Sequence, residues 1–139
     1  MVPKFRCWFK DTGTQAAHMV EWHELREFKA LGDLLQYSGE NKSFHLMQST
    51  GLKDKNGVDI FEGDVVRFTW DMLSDVNATE KGKKVRISKV FWSDWRASWA
   101  VGKKSCNNDL FRYARNGNTV EVIGNIYENP ELLEQANEN

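Results

Sequence analysis

The sequence predicts a mainly β protein with one helix in the first third and a short helix near the C-terminus. Apolar and polar residues alternate along residues 5–9, which is the two-residue period of a half-buried strand. Glycine-containing turns at residues 56–57 and 62–64 precede further strand-like runs. The chain is 40% hydrophobic and 28% charged, which is typical of a folded globular protein rather than a disordered one.

The helix of the first third is predicted from apolar residues spaced three or four apart. These residues are Trp22, Leu25, Phe28, Leu31 and Leu35, with charged residues between them. The spacing is typical of an amphipathic helix within residues 22–35. A strand is the open alternative, because a strand-rich context overrides local preference.

The rest of the chain is predicted to consist mainly of strands, because β-branched and aromatic residues recur between turn-forming ones. The predicted strands are residues 44–48, 65–70, 84–92, 97–101, 110–114 and 119–127. Between them the sequence predicts a long loop over residues 71–84, a hairpin turn over 93–96 and an irregular segment over 106–109.

The last strand and the C-terminal helix have their own sequence indications. Apolar residues on both faces of residues 119–127 predict the central strand of a sheet. Asn129 as N-cap and Pro130 in the first position predict the start of a short helix. We expect one domain over residues 1–139, with a frayed tail at 134–139.

The location of the protein is predicted from what the chain lacks. Charged residues interrupt the opening ten residues, and no window approaches 18 uncharged apolar residues. We therefore expect no membrane association and a cytoplasmic protein. Without an export signal we expect Cys7 and Cys106 to be two reduced thiols rather than a disulfide, and neither has the CxxC partner of a zinc site.

No residue pattern specifies a reaction. The chain has no G-x-S-x-G turn around a nucleophile and no glycine-rich phosphate loop. We therefore predict a protein that is not an enzyme and needs no cofactor, with an unrecognised enzyme as an alternative. The acidic residues of the segment 51–64 resemble a calcium loop only loosely. Its glycine comes two positions early, so turn chemistry at Asp54 and Asn56 explains them better and no metal is expected.

Three segments carry a family resemblance. They are residues 4–8, the block 46–57 that continues into 60–66, and the block 121–133. In these segments the chain resembles the YopX family, with Ser49 where an aromatic is common and Phe61 where a tyrosine is common. The resemblance implies coiled, bifurcated sheets and a tendency to form homo-oligomers, and a distorted barrel is our alternative for the fold. It also implies a phage or prophage setting in a bacterial host, and no known function.

The net charge of -1 conceals a segregated distribution. Residues 81–104 hold eight basic residues and one acidic residue, a net charge of +7, and the two flanks are each at -4. Four aromatic residues lie within this basic span. We predict a contact surface formed by Lys84, Arg86, Lys89, Trp92, Trp95, Arg96 and Trp99.

Three partners fit such a surface. Basic groups interleaved with aromatic rings suit single-stranded nucleic acid, because the cations meet phosphates and the rings stack on bases. The basic span also suits the acidic surface of a second subunit, or of a host or phage protein. A purely structural explanation competes with all three: some of the aromatics are expected in the core, and lysine and arginine commonly protect exposed strands from edge pairing.

From the contact surface, the family resemblance and the lack of a reaction motif together, we predict a non-enzymatic, self-associating protein that acts by binding.

Overall fold

Strands dominate the part of the chain that the structure describes, which confirms the mainly β prediction. This computed structural model describes residues 3–36, 43–70, 84–103, 106–115 and 119–137. The strands are β1 (Phe5–Phe9), β2 (His18–Val20), β3 (Phe44–Lys53), β4 (Asp59–Phe61), β5 (Asp64–Trp70), β6 (Lys84–Lys89), β7 (Phe91–Ser93), β8 (Ser98–Lys103), β9 (Cys106–Asp109) and β10 (Val120–Asn125). The helices are α1 (Trp22–Leu25), α2 (Leu31–Gln36), α3 (Leu110–Arg115) and α4 (Glu131–Asn137).

The described strands form three sheets, ordered β2-β1-β3-β4, β10-β5-β6 and β7-β8-β9. The chain divides into two compact units, Met1–Gly51 and Leu52–Asn139, and the boundary falls inside β3. Each unit has its own buried apolar cluster. A single domain over residues 1–139 with a frayed tail at 134–139 stays a prediction.

The first unit has its core beside β1. Cys7 is fully buried and lies in register between Val20 of β2 and Leu46 of β3. Leu25 of α1 and Leu34 of α2 belong to the same buried cluster. The strand predicted over residues 5–9 is therefore present and directs its middle residue inward.

The helix predicted within residues 22–35 is present as two short helices, α1 and α2. Between them, the backbone N–H groups of Glu27 and Phe28 each donate to a carbonyl three residues earlier, at 3.0 Å. Such bonds belong to the tighter 3₁₀ geometry, which has three residues per turn. The apolar residues of this segment recur every three positions, so their period fits this geometry better than the 3.6 of an α-helix.

The second unit has a core built from both of its three-stranded sheets, from α3, from β4 and from the residue between β6 and β7. Its buried members are Ile60, Val66, Phe68, Val90, Val101, Leu110, Tyr113 and Val120. The ring centroids of Phe68 and Tyr113 lie 4.9 Å apart. The strand predicted over residues 65–70 is found as β5, and it lies between β10 and β6.

Residues 84–92 do not form the single predicted strand. The strand is interrupted at Val90, and the two parts, β6 and β7, belong to different sheets. The backbone N–H of Val90 donates to the carbonyl of Asp64 (2.8 Å), and its carbonyl accepts from the N–H of Gly63 (2.9 Å). The side chain of Val90 is buried in the core. The turn before β5 thus takes the hydrogen bonds that a continuing strand would use.

The prediction that residues 119–127 form a central strand is wrong, because β10 lies at the edge of its sheet among the described residues. Its outer side is covered by a turn instead of a strand: the N–H of Lys55 donates to the carbonyl of Val120 at 3.0 Å. The pairing of β10 with β5 also shifts register between Val122 and Gly124, which interrupts the alternation of faces.

Two smaller predictions change and a third is confirmed. Residues 110–114 form helix α3 rather than a strand, with Leu110 and Tyr113 three apart on its buried side. Residues 106–109 form strand β9 instead of an irregular segment. The predicted C-terminal helix is found as α4, beginning at Glu131. Of the predicted loop over residues 71–84, residues 71–83 lie outside the described part of the chain.

Candidate contact surface

The predicted contact surface centres on one hairpin, which we call the aromatic hairpin (residues 91–100 of β7 and β8 with their turn). Its strands pair Phe91 with Ala100, Trp92 with Trp99 and Ser93 with Ser98. In the turn, the N–H of Arg96 donates to Oγ of Ser93 at 3.3 Å. Ala97 closes the turn in the left-handed region, at φ 52°. The predicted hairpin turn is therefore present, one residue later than expected.

Trp92 and Trp99 form a cross-strand aromatic pair on one face of the hairpin. Their ring centroids lie 5.2 Å apart, and their planes make an angle of 77°, which is an edge-to-face arrangement. Trp99 packs against the buried cluster of the second unit, whereas Trp92 is 46% exposed. The core therefore holds Trp99, and Trp99 in turn orients Trp92 at the surface.

Trp95 lies at the tip of the hairpin and is 86% exposed. The guanidinium carbon of Arg96 lies 5.3 Å from the centroid of the Trp95 ring, within the range of a cation–π contact. This contact places a positive charge next to a flat, exposed aromatic face.

The basic residues of β6 are divided between two faces of that strand. Arg86 and Lys89 are both exposed, but they are three positions apart, so strand alternation directs them to opposite sides. Ser88 is on the same side as Arg86, and its Oγ accepts a hydrogen bond from the N–H of Gly102 in β8 at 2.8 Å. This bond joins β6 to the sheet of the aromatic hairpin.

Arg86 also lies close enough to Tyr113 to influence its ionisation. Burial raises the pKa of Tyr113, and the positive charges of Arg112 and Arg86 oppose that shift.

Of the predicted surface residues, the structure brings Trp92, Trp95, Arg96 and Trp99 into one hairpin and joins Arg86 to it through β6. Lys89 faces the other way, and the side chain of Lys84 lies outside the described part of the chain.

Two acidic residues of the segment 51–64, Asp54 and Asp64, accept hydrogen bonds from backbone N–H groups. Asp54 is 2% exposed; its Oδ1 accepts from the N–H groups of Asn56 (2.8 Å) and Val58 (2.9 Å), and its Oδ2 from Val122 (2.9 Å). Buried Asp64 accepts from the N–H of Phe61 at 2.8 Å. Within the described ranges, no three His, Cys, Asp or Glu side chains are grouped to hold a metal ion.

The thiol of Cys7 is placed for packing rather than reactivity. Burial raises its pKa to about 11, and a hydrogen bond from the backbone of His45 only partly offsets this. At neutral pH it is therefore the protonated thiol, which is a poor nucleophile. Burial and the charge of Lys10 lower the pKa of His45. The side chain of Cys106 is not among those described.

Sequence reasoning missed two groups that build this unit. The sequence does not single out Ser88, because a serine within a strand gives no local sign of a bond to a residue 14 positions away. The sequence predicts Asp54 in a local turn, and two of its hydrogen bonds confirm that prediction. Its third bond, to Val122, has no local sign in the sequence either.

The comparisons with known proteins agree with this fold. The family model described as YopX protein matches residues 4–134. A solved structure, the crystal structure of protein EF1440 from Enterococcus faecalis, is similar at a TM-score of 0.53 and 22% identity. The match covers 96% of this chain and 99% of that chain, and at such identity it shows a shared fold alone. No curated protein matches the chain. None of the described helices is both long enough and apolar enough to cross a membrane.

Proposed function

The chain belongs to the YopX family, and from this premise we propose that it acts by binding, without catalysing a reaction, with the aromatic hairpin as its contact surface. We place this activity in the cytoplasm of a bacterial host, in the phage or prophage setting that the family resemblance implies. Self-association is a further part of the proposal.

The observation that carries the proposal is the exposure of Trp95, which is 86% exposed at the tip of a hairpin. A large aromatic side chain in water contributes little to folding, since its apolar area stays hydrated. Tryptophan and arginine are the residues most often responsible for binding energy at interfaces. Trp95 with its neighbour Arg96 is such a pair.

The way in which the hairpin is held also supports a contact role. Trp99 is anchored in the core and contacts Trp92 edge-on, so Trp92 is oriented before any partner arrives. A surface that is ordered in advance loses less conformational entropy on binding. By contrast, the buried carboxylates of Asp54 and Asp64 hold backbone N–H groups, which is a task in folding rather than catalysis.

Charge opposes self-association through a twofold contact of the hairpin with itself. A twofold contact sets the same patch of both copies face to face. The span 81–104 carries +7, so that arrangement opposes like charges. We therefore propose association through another surface, and a head-to-tail contact of the hairpin with an acidic surface is the competing arrangement.

Photo-crosslinking tests the contact surface. Trp95→p-benzoylphenylalanine in the full chain, irradiated in bacterial cells, is expected to give a covalent adduct, and the same replacement at Phe28 is not. Phe28 is the matched control, since it is an exposed aromatic of the first unit. An adduct at neither position, or equally at both, contradicts the assignment of the hairpin.

Light scattering tests self-association. The purified protein is expected to exceed its monomer mass of 16.1 kDa at concentrations on the order of tens of micromolar. A strict monomer under those conditions removes self-association from the proposal and leaves the contact surface standing.

A further inference from the structure

The tip of the aromatic hairpin combines an exposed ring with an adjacent cation. Trp95 has most of its surface in water, and the Arg96 guanidinium lies 5.3 Å from its ring centroid. Nucleobases stack on exposed aromatic faces whatever their sequence, because every base has a π-face. A guanidinium beside the ring is placed for the phosphate of the same nucleotide, with which it forms charge-assisted hydrogen bonds.

A second ring lies on the same hairpin. Trp92 is 46% exposed and is oriented by its edge-to-face contact with Trp99. Two rings on one rigid hairpin resemble the stacking platforms of proteins that bind unpaired strands, in which successive bases meet successive aromatics.

The net charge of the sequence span that contains these rings selects among partners. Residues 81–104 carry +7, with Asp94 as the single acidic residue. Such a span attracts a polyanion and repels a second copy of itself. Double-stranded nucleic acid hides the faces of its bases, so the rings add nothing to its binding, whereas a single strand uses both the charge and the rings.

From these observations we propose that the aromatic hairpin binds single-stranded nucleic acid, with Trp95 and Trp92 stacking on bases and Arg96 contacting phosphate. This inference rests on the proposed function, since it names the partner of the contact surface assigned there.

Fluorescence anisotropy tests the inference with the full chain. The probes are fluorescein-labelled oligo(dT) and oligo(rU) of about 15 nucleotides in about 50 mM salt, where phosphate contacts are weakly screened. Trp95→Ala is expected to weaken binding between about fivefold and 100-fold, the loss of one stacked base. Trp95→Phe, which keeps a ring, is expected to stay within about fivefold of the original. The two probes separate DNA preference from RNA preference.

Arg96 has a different readout. Arg96→Ala is expected to reduce the slope of log affinity against log salt concentration by about 0.7, the value for one phosphate contact on a single strand. Trp95→Ala is expected to lower affinity and leave that slope unchanged. The matched control is the double variant Phe28→Ala/Lys29→Ala, an adjacent exposed aromatic and basic pair in the first unit. It is expected to bind as the original does, while Trp95→Ala/Arg96→Ala loses binding.

Three contrary results would overturn the role of the rings, the nucleic-acid inference, or both proposals. Equal weakening by both double variants shows attraction by general charge and overturns the role of the hairpin rings. If neither probe binds and Trp95→Ala lowers the mass in light scattering, the hairpin contacts a second copy: the nucleic-acid inference fails and the contact surface stands. Both the contact surface and the nucleic-acid inference fail under three joint conditions: neither probe binds, Trp95→Ala leaves the mass in light scattering unchanged, and no crosslink forms at position 95.

Discussion

The carboxylate of Asp54 accepts a hydrogen bond from the backbone N–H of Val122 at 2.9 Å, across 68 residues of sequence. The same carboxylate organises its own turn through the N–H groups of Asn56 and Val58. One side chain therefore closes a turn and ties that turn to the outer side of β10. This connection gives the outer backbone of an edge strand a hydrogen-bond partner that is not a strand.

Removing this carboxylate is expected to destabilise the protein strongly. Asp54→Ala removes three hydrogen bonds to a charged acceptor, and a hydrogen bond to a charged group contributes about 1.5–3 kcal/mol. We expect the free energy of unfolding in urea to fall by about 3 kcal/mol or more. Asp54→Asn keeps one carbonyl oxygen, so its free energy of unfolding is expected to lie between those of the original protein and Asp54→Ala. The control Asp59→Ala, in the same segment, is expected to change stability by less than about 0.5 kcal/mol. A loss at Asp59 as large as that at Asp54 contradicts this account.

The parts of the fold that follow from local chemistry were predictable. The turn at Asn56 and Gly57 is present, with Gly57 at φ 80°, and so is the strand that begins after Gly63. The break at Val90 was not predictable, because the groups that cause it, Gly63 and Asp64, come from a distant turn. Helix α3 was missed because six residues offer too few periods to separate a helix from a strand.

The contact surface was predictable only in composition. The basic span and its tryptophans are visible in the sequence, but which ring is anchored is decided by packing: Trp99 meets the core and Trp95 does not. The separation of Arg86 from Lys89 follows from strand alternation once β6 is known to be continuous through both.

Two serines of the second unit are expected to respond in opposite directions to loss of the hydroxyl. Oγ of Ser88 accepts from the N–H of Gly102 at 2.8 Å and donates to the carbonyl of Lys89 at 2.9 Å, so Ser88→Ala is expected to cost about 1–2 kcal/mol. Oγ of Ser98 is buried without a hydrogen-bond partner in the described structure. Ser98→Ala removes an unsatisfied group and is expected to be neutral or stabilising. Thermal melts of the two variants measure this, and equal losses of melting temperature would contradict the assigned bonding.

Gly124 is expected to tolerate no side chain, because Asn129 occupies the space. A Cβ at this position would lie 2.5 Å from Oδ1 and 2.8 Å from Cγ of Asn129. The Asn129 side chain itself accepts from the N–H of Asn125 at 3.3 Å, so moving it loses a bond. Gly124→Ala is expected to cost about 1–3 kcal/mol in urea unfolding.

Two further variants control the Gly124 prediction. Gly32→Ala has open space around it and lies in helix α2, so it is expected to stabilise by about 0.5 kcal/mol. In the double variant Gly124→Ala/Asn129→Ala the two shortest contacts are absent and only the 3.0 Å contact with Cβ of residue 129 remains, so the two losses are expected to be less than additive. Strict additivity would rule out the collision as the cause.

Substitutions of two hairpin tryptophans are expected to differ in their effect on the free energy of unfolding, because Trp99 packs on the core and Trp95 lies in water. Trp99→Ala opens a gap against the core cluster and is expected to cost about 2–3 kcal/mol. Trp95→Ala removes a ring that lies in water and is expected to leave unfolding unchanged within about 0.5 kcal/mol. Trp95→Phe is expected to reduce the share of fluorescence that acrylamide quenches, since it removes the most exposed tryptophan described. An unchanged quenching curve would contradict the exposure of Trp95.

Stability is expected to fall in the alkaline range through Cys7. Burial raises the pKa of this thiol to about 11 from an unfolded value near 9.0, so folding favours the protonated form. The stabilisation is fully present below pH 9 and is lost as the pH rises towards 11. Urea unfolding of the original protein and of Cys7→Ala across this range isolates the thiol, because lysine and tyrosine titrations occur in both. The original protein is expected to lose stability more steeply with pH than the variant, and parallel curves would show that the thiol is not shielded from water.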